Sequence, residues 1–232
     1  MSKLPPPLRK LPLPVIGSPL FIVSTPATVI AQCKAGVLGT MPTLNARPAA
    51  QLDEWLDEIA QTLAAHDRTQ PERPAAPFGV NLIVHKSNPR LQADLEISIR
   101  HKVPLIITSL GAVKELVGAV QGYGGLVFHD VINMRHARKA AEAGVDGLIA
   151  VCAGAGGHAG LLSPFALIPE IRRFFPKTVL RVLQSQIDET GANYVLCRVA
   201  FGDLTYEESR RSAELFATHV MPNLRAKEPV AA

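Results

Sequence analysis

The segment Gly154-Ala155-Gly156-Gly157-His158-Ala159-Gly160 places one imidazole among four glycines directly after the apolar run Gly147-Leu148-Ile149-Ala150-Val151. Glycine lets the backbone turn tightly and come close to a ligand. A single histidine in so bare a loop is available for acid–base or hydrogen-bonding chemistry. A flexible surface loop with an incidental histidine is the competing account, because glycine-rich loops alone are weakly specific. Asn81 is the second residue with chemical potential, since an amide inside the buried run Phe78 to Val84 must tie down neighbouring backbone or face a ligand. His85 and His129 also fall near strand ends, but outside any glycine-rich loop, and read as structural. His66, His101, His136 and His219 lie on predicted helices and read as solvated.

The elements that must position these residues alternate. Thr25-Pro26 offers an N-cap with proline at the first helical position, Val29, Ile30 and Cys33 share a face, and Gly36 supplies the stop. Leu52, Trp55, Leu56, Ile59 and Leu63 follow amphipathic helical spacing between Pro48 and the linker of residues 71–77, which makes Trp55 a core residue. Asn88-Pro89 repeats the cap-plus-proline start before Leu91, Leu95 and Ile99. Strands are predicted at 78–84, 105–108, 125–129 and 147–151. Helices near 114–120 and 134–143 fall between them, and another opens at Ser163-Pro164 and runs to Phe175. Pro176-Lys177-Thr178-Val179 is predicted to begin a helix with Val182, Leu183 and Ile187, followed by a strand at 193–199 and a helix at 206–220.

Repeated strand–helix units with nearly continuous apolar strands imply a parallel sheet covered by helices. The dinucleotide-binding fingerprint would need Gly-x-Gly-x-x-Gly opening a helix and an acidic residue about 20 positions on, and the loop here comes late and carries a histidine. A closed barrel is therefore favoured over an open doubly wound sheet. In a barrel, ligand groups sit at the carboxyl ends of strands, where Ser18-Pro19-Leu20, Asn81, Thr108-Ser109, His129-Asp130 and Gly156-Gly157-His158 fall. About seven strands are counted. The resulting gap would be plugged by the N-terminal segment or a loop, closed by a partner chain, or left as a poorly folded fragment.

Composition bounds the function classes. The chain has 232 residues, is 47% hydrophobic and carries a net charge of +4, with a pI near 9.1. The charge is dispersed, with no basic run, so a nucleic-acid partner is not indicated. Cys33, Cys152 and Cys197 are odd in number, widely spaced and set in apolar stretches, which argues for reduced buried thiols and against a disulfide framework or a metal site. The prolines among residues 1–14 leave no apolar signal region or spanning helix there. A soluble, cytoplasmic protein is expected.

Pro14-Val15-Ile16-Gly17-Ser18-Pro19-Leu20, Phe78-Gly79-Val80-Asn81 and Ala155-Gly156-Gly157-His158-Ala159-Gly160, in that order, resemble the nitronate monooxygenase family over residues 11–175. The resemblance implies an α/β fold of TIM-barrel type, FMN as cofactor, and oxidation of alkyl nitronates by molecular oxygen. It makes His158 the catalytic histidine and Pro19, Leu20 and Asn81 flavin neighbours, with Leu20 standing where the family commonly has methionine. Ser109, Gly156 and Gly157, at strand ends beside these, complete the expected cofactor-binding set.

The resemblance stops after Phe175, where the family's two glycine-containing turns for the FMN phosphate are not found. Lys177 and a helix start around Thr178 would offer a substitute anion site. Residues 176–225 instead resemble the carboxyl end of luciferase-like flavin monooxygenases, in Gly191-Ala192-Asn193-Tyr194-Val195-Leu196 and Phe201-Gly202-Asp203-Leu204-Thr205. The implied organisation is a nitronate monooxygenase-like portion, 1–175, with a helix–strand–helix at 176–232 completing the same domain. The alternatives are an inactive, weakly flavin-binding fusion and an FMN-dependent enoyl-ACP reductase-like enzyme. A small-molecule substrate, no membrane, and a possible homo-oligomer complete the expectations.

Overall fold

The computed structural model describes residues 8, 11–12, 15–153, 155, 160–181 and 194–197. Eight strands and six α-helices alternate within them: β1 (Val15–Gly17), α1 (Pro26–Lys34), β2 (Gly39–Pro42), α2 (Ala50–Thr69), β3 (Phe78–Ile83), α3 (Leu91–Arg100), β4 (Leu105–Ser109), α4 (Lys114–Gly122), β5 (Leu126–Val131), α5 (Met134–Glu142), β6 (Gly147–Ala150), α6 (Pro164–Arg172), β7 (Thr178–Arg181) and β8 (Tyr194–Cys197). All pairings are parallel, in the order β1-β8-β7-β6-β5-β4-β3-β2. The two ends of that series meet. Ile16 bridges Leu38 in parallel, the Gly17 N–H donates to the Leu38 carbonyl at 2.8 Å, and the Leu38 N–H donates to the Val15 carbonyl at 3.1 Å. The sheet is a closed (β/α) barrel, as the alternation of elements predicts.

The expected seven strands become eight, so the expected gap does not exist. Thr178–Arg181 is a strand and not the start of a helix; it pairs Thr178, Val179 and Leu180 with Gly147, Leu148 and Ile149. A short apolar run fits a buried strand as well as a buried helical turn, and here the open edge of β6 decides. The expected helix segment at 182–187 and the helix at 206–220 lie outside the described residues.

Local signals explain most helix starts. The side chains of Thr25, Asn133 and Ser163 accept from the N–H groups of Thr28, His136 and Phe165. Helix α3 begins at Leu91, later than Asn88-Pro89 suggests, because the Asn88 side chain is committed elsewhere: its amide donates to the Ile83 carbonyl and its oxygen accepts from the Arg90 N–H. Arg90 then pairs with the fully buried Asp94 at 2.9 Å and donates to the Ala46 carbonyl, which ties the loop after β2 to α3.

Strand alternation divides the apolar residues into two cores. Ile106, Val127, Val131 and Leu148 pack outward beneath the helices with Leu52, Leu56, Ile59 and Ile168. Ile16, Leu38, Leu105, Ile107, Leu126, Phe128 and Ile149 fill the lumen. Leu8 is 1% exposed and joins the lumen cluster beside Leu105 and Leu126, the first residues of β4 and β5, so it seals the amino-terminal end. Trp55 is half-buried against the outer core, as its helical spacing predicts, and Cys33 and Cys152 are both buried. Burial pushes the Cys33 thiol up to about 12, which makes it inert. No helix among the described residues is long and apolar enough to cross a membrane.

The lumen tolerates little added volume. A Cβ on Gly147 would lie 2.6 Å from the Phe128 ring, which has no exposed surface to retreat into, whereas a Cβ on Gly118, inside α4, meets nothing within 4 Å. Gly147→Ala is expected to destabilise the fold by about 1–3 kcal/mol, and Gly118→Ala to stabilise it by up to about 1 kcal/mol. Urea denaturation of the two variants checks the opposite signs.

Candidate active site at the barrel mouth

The carboxyl ends of β3, β4 and β5 place three polar side chains on the lumen face, above its apolar filling. Asn81 alternates with Val80 and Leu82, which belong to the outer core, so its amide points inward. Its nitrogen donates to the Ile107 carbonyl at 3.2 Å and to the Ser109 hydroxyl at 2.8 Å. Ser109 in turn donates to the Asp130 carboxylate at 2.6 Å. The chain Asn81–Ser109–Asp130 is therefore directional. Both amide hydrogens are spent, and the Asn81 carbonyl oxygen is the atom left to accept from a ligand.

Burial pushes the Asp130 carboxyl above its ordinary range, against the lowering effect of hydrogen bonds from the Ser109 hydroxyl and the Leu110 N–H. Leu110 reaches that carboxylate from a left-handed backbone conformation, φ 68°, costly for a residue with a side chain and characteristic of functional loops. In the sequence Asp130 stands out only as a strand-end residue. Its link to Ser109 depends on which way β5 faces, which the buried Phe128 two positions earlier could have signalled.

Pro19 and Leu20 lie half-buried in the loop after β1, at the same end of the barrel. The loop is clamped by Asn45, whose amide donates to the carbonyls of Leu20 and Ser24 and whose oxygen accepts from the Ile22 N–H. Leu20 also donates its N–H to the Ser24 hydroxyl at 2.9 Å. Nothing local in the sequence announces Asn45, because its partners are 21 to 25 residues away. The structure thus joins Asn81 to Ser109 directly and sets Pro19 and Leu20 at the same mouth.

Gly156, Gly157 and His158 lie outside the described residues. The flanks of their loop are fixed: the Gly160 N–H donates to the Val151 carbonyl at 3.2 Å and the Ala153 N–H to the Leu162 carbonyl at 2.9 Å. A Cβ on Gly160 would collide with the Val151 carbonyl oxygen, so the last glycine of the motif is required for the chain to return to the end of β6.

Other expected groups fall elsewhere. Lys177 is not a mouth residue: its ammonium donates to the carbonyls of Gly144 and Val145, in the turn before β6, at the opposite end of the barrel. With Thr178 in a strand, the substitute anion site does not form. His101 is not solvated either; it pairs with Asp53 across α2 and α3, with its side chain 13% exposed. Its partner, 48 residues away, explains why spacing missed it. His85 is exposed and hydrogen-bonds Ser87.

His129 faces outward, 2.7 Å from the Thr108 hydroxyl and away from the lumen. Burial, with the charges of His136 and Lys139, brings it down to about 4 from 6.5, against the raising effect of a backbone hydrogen bond with Thr108. Among the described residues no group of histidine, cysteine and carboxylate side chains is arranged to hold a metal ion.

No family model matches the chain. It is 27% identical over 176 residues to (3aS,4S,5R,7aS)-5-hydroxy-7a-methyl-1-oxo-octahydro-1H-indene-4-carboxyl-CoA dehydrogenase of Mycobacterium tuberculosis, a match over 75% of this chain and 46% of that protein. The chain thus spans about half the length of that relative. Among solved structures it resembles nitroalkane oxidase of Streptomyces ansochromogenes, with TM-score 0.70 and 20% identity over 84% of this chain and 67% of that one. It also resembles a mandelate oxidase variant carrying an FMN adduct, with TM-score 0.65 and 19% identity over 91% and 74%. These structural likenesses agree on the parallel α/β barrel.

The buried histidine behind the mouth sets an acid limit on stability. The unfolded chain protonates at its ordinary value, while folded His129 stays neutral down to about 4. Stability contributed by the neutral ring is therefore complete above about pH 6.5 and is lost as pH falls towards 4, by roughly 3 kcal/mol. His129→Gln is expected to flatten this acid limb in urea denaturation at a series of pH values; an unchanged limb would assign it to other groups.

Proposed function

We propose that the protein is an FMN-dependent oxidoreductase that oxidises alkyl nitronates with molecular oxygen. The observation that carries this reading is the lumen amide of Asn81, locked to Ser109 at the strand ends, in the same barrel whose sequence motifs resemble the nitronate monooxygenases. The likeness in fold to nitroalkane oxidase and to an FMN-bearing mandelate oxidase variant supports it.

The donor set fits the polar edge of a flavin. Asn81 presents a carbonyl oxygen whose orientation is fixed by two outgoing hydrogen bonds, suited to a ring N–H. Pro19 and Leu20 supply apolar surface from a clamped loop, and Gly156 and Gly157 let the backbone approach the ring. FMN, when bound, supplies the electron transfer and the reaction with oxygen. The protein's own task is orientation and proton handling. His158 would share a proton with the nitronate oxygens, and Asp130 holds the Ser109 hydroxyl so that Asn81 cannot turn.

The test is oxygen uptake by the FMN-loaded protein with a primary alkyl nitronate. His158→Ala is expected to keep its flavin and lose turnover by about 10²–10⁴-fold, and Asn81→Ala to weaken FMN binding. Turnover unchanged in His158→Ala would contradict the assignment. Consumption of NADH in place of nitronate-dependent oxygen uptake would instead favour the enoyl-reductase-like alternative.

A further inference from the structure

Apolar surface is distributed unevenly over this barrel. Every exposed large hydrophobic side chain among the described residues lies in a loop that follows a strand, or in the first turn of the helix beyond it. Phe21 and Ile22 follow β1, Leu110 follows β4, Ile132 follows β5, and Leu161 and Phe165 follow β6. Leu161 is 96% exposed, Leu110 73% and Ile22 72%. Ile22 and Leu110 are also held at φ 68°, so the backbone bears a cost where these side chains are turned outward. The loops at the opposite end carry no exposed large hydrophobic residue among those described. A rim of this kind around a mouth, on a barrel whose other large apolar side chains among the described residues are buried or half-buried, marks a binding surface.

Charge is segregated in the same loops. The segments joining each of the first six strands to its following helix contain Arg47, Lys86 and Arg90 and not one Asp or Glu. Arg90 is engaged with Asp94 and backbone carbonyls. Arg47 and Lys86 are exposed, one after β2 and one after β3. The Arg47 guanidinium lies 5.3 Å from the centre of the Phe21 ring, so the basic arc and the apolar rim touch. Asp130 is drawn into the lumen by the Ser109 hydroxyl, so these acid-free loops with two exposed cations favour anions, and a small nitronate needs neither this cationic arc nor so much exposed apolar surface.

We propose that the mouth docks an anionic amphiphile: a carbon-rich acyl group lying on the rim of Phe21, Leu110, Leu161 and Phe165, carried on a phosphate-bearing handle that meets Arg47 and Lys86. This inference rests on reading the mouth as the substrate entrance of the proposed flavin-dependent oxidoreductase, and it replaces the small alkyl nitronate by a larger substrate class at that site. The reacting end of the acyl group would then reach the Asn81–Ser109–Asp130 chain inside the lumen.

Calorimetric titration of the purified protein with octanoyl-coenzyme A, coenzyme A and octanoate tests the proposal. The thioester is expected to bind at least about tenfold more tightly than either part alone. Leu161→Ser with Phe165→Ser should abolish that advantage without changing binding of coenzyme A, because both side chains are exposed and their loss leaves the core intact. Lys86→Glu should weaken octanoyl-coenzyme A and coenzyme A alike by about fivefold, an effect that fades as salt is raised. Equal affinity for octanoyl-coenzyme A and coenzyme A, or an unchanged double variant, would overturn the proposal. So would co-sedimentation with phosphatidylglycerol vesicles in the absence of thioester binding, or a dimer that the double variant dissociates, since these assign the rim to a membrane surface or a second copy. The visible flavin absorbance of the same samples separates the two readings. Colourless protein that binds the thioester sinks the flavoenzyme reading and leaves the docking surface; yellow protein that ignores it does the reverse.

Discussion

Closure of the sheet is the constraint from which the rest of the molecule follows. A parallel strand pointing its side chains alternately to two sides can bury both only if helices cover one and the ring of strands encloses the other. The contact that achieves this is small: Gly17, Leu38 and Val15 exchange two backbone hydrogen bonds, and a three-residue β1 thereby joins β2 to β8. Without it Ile16 and Leu38 would lose the lumen, and Leu8 would have nothing to seal. Closure also fixes where chemistry is possible. Among the described residues the lumen is filled mainly by apolar side chains, from Leu8 and Leu105 up to Ile107 and Phe128, and the polar chain Asn81–Ser109–Asp130 lies at its carboxyl-terminal edge.

That location explains the form of the site. A buried amide, hydroxyl and carboxylate are costly unless each satisfies the next, and the three do so in a line with a fixed sense. The line runs to a carboxylate whose burial opposes ionisation and whose two hydrogen bonds favour it. The result is an acceptor atom presented to the lumen in one orientation, an arrangement suited to holding a planar, hydrogen-bonding cofactor. Outside the lumen the same strand ends carry the apolar rim and the basic arc, so the described groups proposed to hold the cofactor and to recognise substrate share one end of the barrel.

How much of this the sequence showed depends on how local the cause was. Helix starts at Thr25 and Ser163 were legible because a cap acts within three residues. The parallel α/β class was legible because alternation repeats. β7 was not, since Val179 and Leu180 carry no periodicity of their own and are made a strand by the waiting edge of β6. Asn81 was legible as an anomaly, a polar residue in an apolar run. Asp130, the Asn45 clamp and the His101–Asp53 pair were not, because each depends on partners brought together from distant loops or helices. Lys177 was misplaced for the same reason as β7: assigning Thr178 to a helix moved the lysine from the sealed end of the barrel to the mouth.

The central claim is that this mouth holds a flavin, and direct titration of FMN into the purified protein, followed by the quenching and spectral shift of the flavin, tests it most directly. The account predicts saturable binding of one FMN per chain, weakened by Asn81→Ala and by Ser109→Ala, with the amide substitution the more severe. FMN that stays free in solution at every protein concentration, or binding indifferent to both substitutions, would contradict it.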